Sequence, residues 1–187
     1  SMGAFLAFSN GADALACKQI QLASGQSAPT GLQMVNALQE IEGVIVPGLA
    51  PNLIVPLMPA STELLSAISN HCDVQSSIRY RAERRAVLGV AVGTQPRDAQ
   101  ALATSTGNSR ICLVYPDMAT ISFVDSAGVS QSYLVGGEFV AVAVALATFN
   151  PTIDSATPWT NRTVTGFLDL GRTLDDVDAN NTANAGI

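Results

Sequence analysis

Three short apolar runs punctuate the middle of the chain: "NLIVPLMP" (52–59), "RAVLGVAVGT" (85–94) and "RICLVYP" (110–116). Stretches with a helical period separate them. A short run that is apolar at successive positions is covered on both faces, which is the condition of a strand inside a parallel sheet. Pro56 cannot donate to a strand ladder, so the first run belongs at a sheet edge or a strand end. Between the runs, "LQMVNALQEIEG" (32–43) places Leu32, Val35, Leu38 and Ile41 near one helical face, with Gly43 as the C-cap. "VIVPG" (44–48) reads as a short strand or extended run. "STELLSAISNHC" (61–72) has Ser61 or Thr62 as N-cap and Leu64, Leu65, Ile68 and Cys72 on one face. "PRDAQALATSTG" (96–107) starts with proline in its first turn and ends on glycine, the asymmetry of a helix. Strands alternating with helices predict an α/β fold with a largely parallel sheet flanked by helices.

After residue 117 the period changes. "TISFVD-SAG-VSQSYLV" (120–135) alternates in period two about a glycine-containing turn, which predicts an inserted antiparallel hairpin. "GGEFVAVAVALATF" (136–149) is a helix apolar on nearly all sides. Its alanines 141, 143, 145 and 147 permit close packing against a sheet. "PTIDSATPWTNRTVTGF" (151–167) reads as a proline-punctuated loop leading into a short strand, and 173–187 as an acidic helix start. Residues 1–30 show little periodicity and end in "ASGQSAPTG", so they are expected to be a partly extended segment or linker. The expected division is therefore 1–30 and an α/β core over 31–187. The sequence contains no internal repeat.

At 187 residues, 48% of them apolar, the chain can bury the core of one full domain. A net charge of −6 and a single lysine, Lys18, argue against nucleic acid as a partner, because affinity for it comes chiefly from neutralising phosphates. Arg79, Arg81, Arg84 and Arg85 cluster in "IRYRAERRAV", which suits ion pairing at a surface or a subunit interface, for instance with the acidic 175–178 cluster of a neighbour. Three cysteines, 17, 72 and 112, in apolar surroundings read as buried thiols of an intracellular protein. No run of 18 apolar residues predicts a membrane span.

The chemistry is sparse. Neither GxGxxG nor GxxxxGK[ST] is present, so no nucleotide cofactor is expected. His71 is the only histidine, and its neighbour Cys72 points about 100° away on a helix, so the two do not form a nucleophile–base pair. No ligand spacing for a metal surrounds them. Asp117 follows a strand, where α/β enzymes place catalytic groups, but "PD" also explains it as a turn. Asp125 falls in the hairpin. Asp175, Asp176 and Asp178 suit a helix N-terminus. Trp159 reads as a core or interface anchor, and Asn161 and Asn180 match glycosylation tripeptides. The residues thus predict no catalytic, cofactor or metal site.

Several segments carry a resemblance in their order. "SRICLVYPD" resembles the strand that ends in Val-Tyr-Pro after a basic residue in the sheath proteins of contractile bacteriophage (myovirus) tails. The helix after the double glycine, the segment "ATPWTNRTVTGFLDL" and the closing "LDDVDANNTANAGI" are similar to elements of the same family. The resemblance covers about 85–187, and 32–84 only by strand–helix order. It implies a subtilisin-like α/β core without catalytic residues. It implies six-fold rings stacked helically around an inner tail tube, attached to a baseplate and joined by terminal arms that add strands to neighbouring sheets. Contraction would drive the tube through a host envelope, and the protein would reside in the virion after synthesis in the host cytoplasm. Against the family's pattern, a closing strand and arm are missing after "NAGI". The chain is therefore expected to be a fragment, monomeric or weakly associated by itself. The rival readings are another phage structural or adaptor domain, or a small hydrolase-like enzyme using Asp117 or Cys72.

Overall fold

The computed structural model describes residues 2–12, 15–44, 52–124, 128–149 and 163–187. It is a mixed α/β fold with one parallel and one antiparallel sheet, each three-stranded. The parallel sheet holds β1 (Leu53–Ile54), β2 (Arg85–Gly89) and β3 (Ile111–Val114) in that order. Ala86 pairs with Ile111 and Leu88 with Leu113. The first apolar run contributes only the two-residue edge strand β1, as Pro56 requires.

The continuous apolar character of β2 follows from its two covered faces. Ala86 and Leu88 point into a core built with α2 (Gly31–Val44) and α3 (Thr62–Gln75), together with Leu113 of β3. Val87 points the other way, into a core with α1 (Met2–Ser9), α5 (Gly137–Phe149) and Val114. Period two along the strand therefore divides its side chains between two cores. It also separates two of the cysteines: Cys72 lies in the first core, whereas Cys112 packs against the second.

The hairpin departs from the expected single sheet. β4 (Met118–Val124) and β5 (Ser130–Gly136) pair antiparallel, and β6 (Phe167–Leu170) joins the far side of β4, giving the order β5-β4-β6. These strands form their own sheet. α5 packs against strands of both sheets, which is why it is apolar on nearly every side. Ala141, Ala143 and Ala145 are fully buried in that position.

One close approach in the fold is backbone to backbone. A Cβ on Gly89 would stand 1.9 Å from the carbonyl carbon and oxygen of Gly137, and one on Gly137 would stand 2.5 Å from the oxygen of Val90. The end of β2 and the start of α5 can meet only because both residues are glycine.

α3 begins as expected: the Ser61 hydroxyl accepts from the Leu64 N–H at 3.2 Å. Leu64, Leu65, Ile68 and Cys72 form its buried stripe. Ser61→Ala is expected to cost about 1 kcal/mol, read as a lower urea midpoint with an unchanged m-value. α4 (Pro96–Thr106) ends at Gly107 in the left-handed conformation, as its sequence predicts. α6 (Asp176–Asn184) is capped by Asp175, whose carboxylate accepts from the Asp178 N–H at 2.7 Å.

Three expectations about the first half are corrected. Residues 2–9 are helical, and Leu6 and Ala7 of α1 are fully buried in the core with α5. A helix this short is unstable alone and leaves no readable period, so packing supplies what propensity does not. Asn10 fixes its end: its amide donates to the carbonyls of Leu6 (2.8 Å) and Thr165 (3.0 Å), and its oxygen accepts from the Thr165 N–H at 2.9 Å. Segment 1–30 therefore does not stand wholly apart from the core. In α2, Met34, Ala37 and Leu38 are buried while Leu32 is 71% exposed, so the buried face is rotated from the expected one. That helix runs to Val44, which places Gly43 inside its last turn instead of at a cap. The rest of the strand expected at 44–48 lies outside the described residues.

Candidate functional site

In a parallel sheet the place to look for chemistry is the carboxyl end of the strands. Here β2 leads to Gly93 and β3 leads to Asp117. Asp117 is completely buried, so it is more than the turn former its "PD" context suggested. Its Oδ2 accepts a hydrogen bond from the Gly93 N–H at 2.7 Å. Its Oδ1 lies 3.3 Å from Nε of Arg172, in the segment between β6 and α6. Arg172 in turn donates from Nη1 to Oε1 of Gln95 at 3.0 Å. The Tyr115 hydroxyl leans on the carbonyl of Thr94 at 3.4 Å. One carboxylate thus ties together the ends of two parallel strands and the chain that returns from the second sheet.

The arrangement is a clamp. A general base must reach a substrate proton, and Asp117 has no accessible surface with which to do so. The ion pair with Arg172 offsets part of the cost of burying the charge, although Oδ1 itself accepts no hydrogen bond among the described residues. Burial also raises the Tyr115 phenol above its ordinary pKa; the nearby Asp117 and Asp178 add to the rise, and Arg172 opposes it. Beside the clamp runs an open groove lined mainly by apolar side chains, including Pro116, Val140, Phe167 and Leu174. Among the described residues, Tyr115, Asp169 and Arg172 are the titratable groups along it.

Cys72 is fully buried on the inner face of α3, and its thiol pKa is pushed up to about 11, first by burial and then by Asp73, with Arg110 and Arg84 opposing. It is a protonated thiol at neutral pH and a poor nucleophile there. His71 is half-buried beside it. Cys112 is also raised by burial. Cys17 is exposed, against the expectation that all three thiols are buried. A thiol reagent at neutral pH should therefore modify Cys17 rapidly and Cys72 only after unfolding; mass spectrometry of the labelled native protein checks this.

The other sequence candidates scatter. Of the arginine cluster, Arg84 is buried, with its backbone N–H donating to the Ser76 hydroxyl at 2.9 Å, while Arg79, Arg81 and Arg85 are exposed. Asp175, Asp176 and Asp178 sit at the start of α6. Asn180 is exposed on the same helix. Asp125, Trp159 and Asn161 lie outside the described residues. Among the described residues no three His, Cys, Asp or Glu side chains gather at a position fit for a metal, and no helix is long and apolar enough to cross a membrane. Arg172 was missed from sequence because a lone arginine in "DLGRTLDD" has no local partner to mark it.

What fold and site define together is a mixed α/β domain whose strand ends are closed by an ion pair between a buried carboxylate and a partly exposed arginine. No protein-family model matches the sequence, and no curated protein matches it.

Proposed function

We propose that the chain is the core of a structural, non-enzymatic subunit of a contractile bacteriophage tail sheath. Such a subunit polymerises around an inner tube, sits on a baseplate, and contracts to drive the tube through a host envelope; its place is the virion tail. The observation that carries the reading is the clamp. The strand-end carboxylate that an α/β enzyme would present to a substrate is spent here on holding two sheets together. A subunit that transmits force needs a stiff core and no exposed catalytic group.

Two further features support it. Parts of the segments that resemble sheath proteins fall in chain order along the fold: Val-Tyr-Pro at the end of β3, the double glycine at the junction of β5 and α5, Gly166 just before β6, and the last segment over α6. Among the described residues each sheet also ends in strands paired on one side only, β1 and β3 in one and β5 and β6 in the other. Such edges can take an added strand from a neighbour, and backbone hydrogen bonds of that kind hold subunits together while they slide and rotate. Contraction is then a switch between two packings of one rigid unit.

Centrifugation of a longer protein carrying this chain together with terminal arms tests the reading. It should pellet as large polymers when expressed alone. A protein that stays small at every concentration and salt would overturn the proposal.

A further inference from the structure

We infer that the exposed turn between α3 and β2 docks on the start of α6 in a second copy of the chain, head to tail. This deepens the assembly reading above, and it rests on that reading's premise that the chain associates with copies of itself.

The turn carries an apolar and basic tip. Ile78 is 87% exposed, and Tyr80 is half exposed with the Arg79 guanidinium 5.4 Å from its ring centre. Arg81 Nε donates to the Ile78 carbonyl at 3.3 Å, which holds the tip in shape. Among the described residues neither Arg79 nor Arg81 meets a carboxylate, whereas nearby Arg110 is paired with Asp73 and Glu83. Arg81 also has φ +51, in the left-handed region where glycine is the cheaper residue. Among the described residues its side chain makes only that single bond to the tip. An arginine kept at such a position, next to an isoleucine held in water, points to a contact outside the copy.

The complementary surface is on the same chain. At the start of α6, Asp176 and Asp178 have no cationic partner among the described residues, and Val177 between them is 67% exposed. Each patch therefore pairs one exposed β-branched side chain with two charges, of opposite sign in the two patches. The acidic residues also favour the helix dipole, which explains their charge but not the exposed valine.

Their placement excludes contact within one copy. The turn feeds the first residue of β2, whereas α6 starts near Tyr115 and the Arg172–Asp117 pair, beyond the last residues of β2 and β3. The patches thus stand at opposite ends of the parallel sheet. When unlike patches at opposite ends meet, one of each remains free, so assembly proceeds as an open row and does not close as a two-fold dimer.

Sedimentation velocity on the chain at low ionic strength tests the inference. The average mass should rise with concentration and fall again on adding salt. The doubly reversed variants Arg79→Glu/Arg81→Glu and Asp176→Lys/Asp178→Lys should each weaken association by about tenfold or more. Mixing the two should restore it, because each supplies the sign the other has lost. Arg81→Gly should weaken association while raising the melting temperature, which separates the contact from folding. Absence of association in the wild-type chain, association unchanged by the reversals, or no recovery on mixing would each overturn the inference. None of these results touches polymer formation by a longer protein that carries terminal arms, so the two ideas fail separately.

Discussion

Replacing Gly89 with alanine is expected to cost about 3 kcal/mol or more, enough to unfold much of a marginally stable domain. The reason is distance. The new methyl group would sit 1.9 Å from backbone atoms of Gly137, and backbone cannot rotate away as the tip of a side chain can. Relief requires α5 to lift from β2, which would open the core containing Leu6, Val87, Ile121 and Ala141. Gly93 provides the contrast. A Cβ there meets nothing within 4 Å, but φ is +90, so Gly93→Ala should cost only the backbone strain of about 1 to 2 kcal/mol. Urea titrations followed by far-ultraviolet circular dichroism should order the proteins wild type, Gly93→Ala, Gly89→Ala. Wild-type stability for Gly89→Ala would mean that β2 and α5 do not meet as described.

The second large effect is at the clamp. Asp117→Ala should destabilise by about 2 to 3 kcal/mol, because it strands the Gly93 N–H and the Arg172 guanidinium together. The value is set below that of a fully buried pair because the Arg172 side chain is 29% exposed and water recovers part of the loss. Asp117→Asn keeps an acceptor for Gly93 and should cost less. A double-mutant cycle with Arg172→Met isolates the pair, and a coupling of about 1 kcal/mol or more is expected. Additive single mutants would show that the two groups do not act on each other.

The architecture was legible wherever residue pattern and tertiary role coincide. β2 and β3 are covered on both faces and read as continuous apolar runs; the β4–β5 hairpin alternates because it has two unlike faces; α5 is apolar throughout because two sheets enclose it. α1 was not legible, since eight residues carry too little periodicity and its burial depends on a partner 130 residues away. The rotated face of α2 was missed because Leu32 fits a helical stripe that packing does not use. The second sheet was hidden because β6 and β4 pair across a wide separation in sequence, which leaves no local signal. At the strand ends, Asp117 could be singled out by its position after β3, but its burial and its partner Arg172 are long-range facts.

Electron microscopy of a longer protein that carries this chain together with terminal arms, expressed alone, tests the proposed function most directly. The account predicts hollow helical tubes or stacked six-fold rings, in which a strand from a neighbouring copy extends one of the open sheet edges. Uniformly dispersed small particles, or closed dimers with every sheet edge unextended, would contradict it.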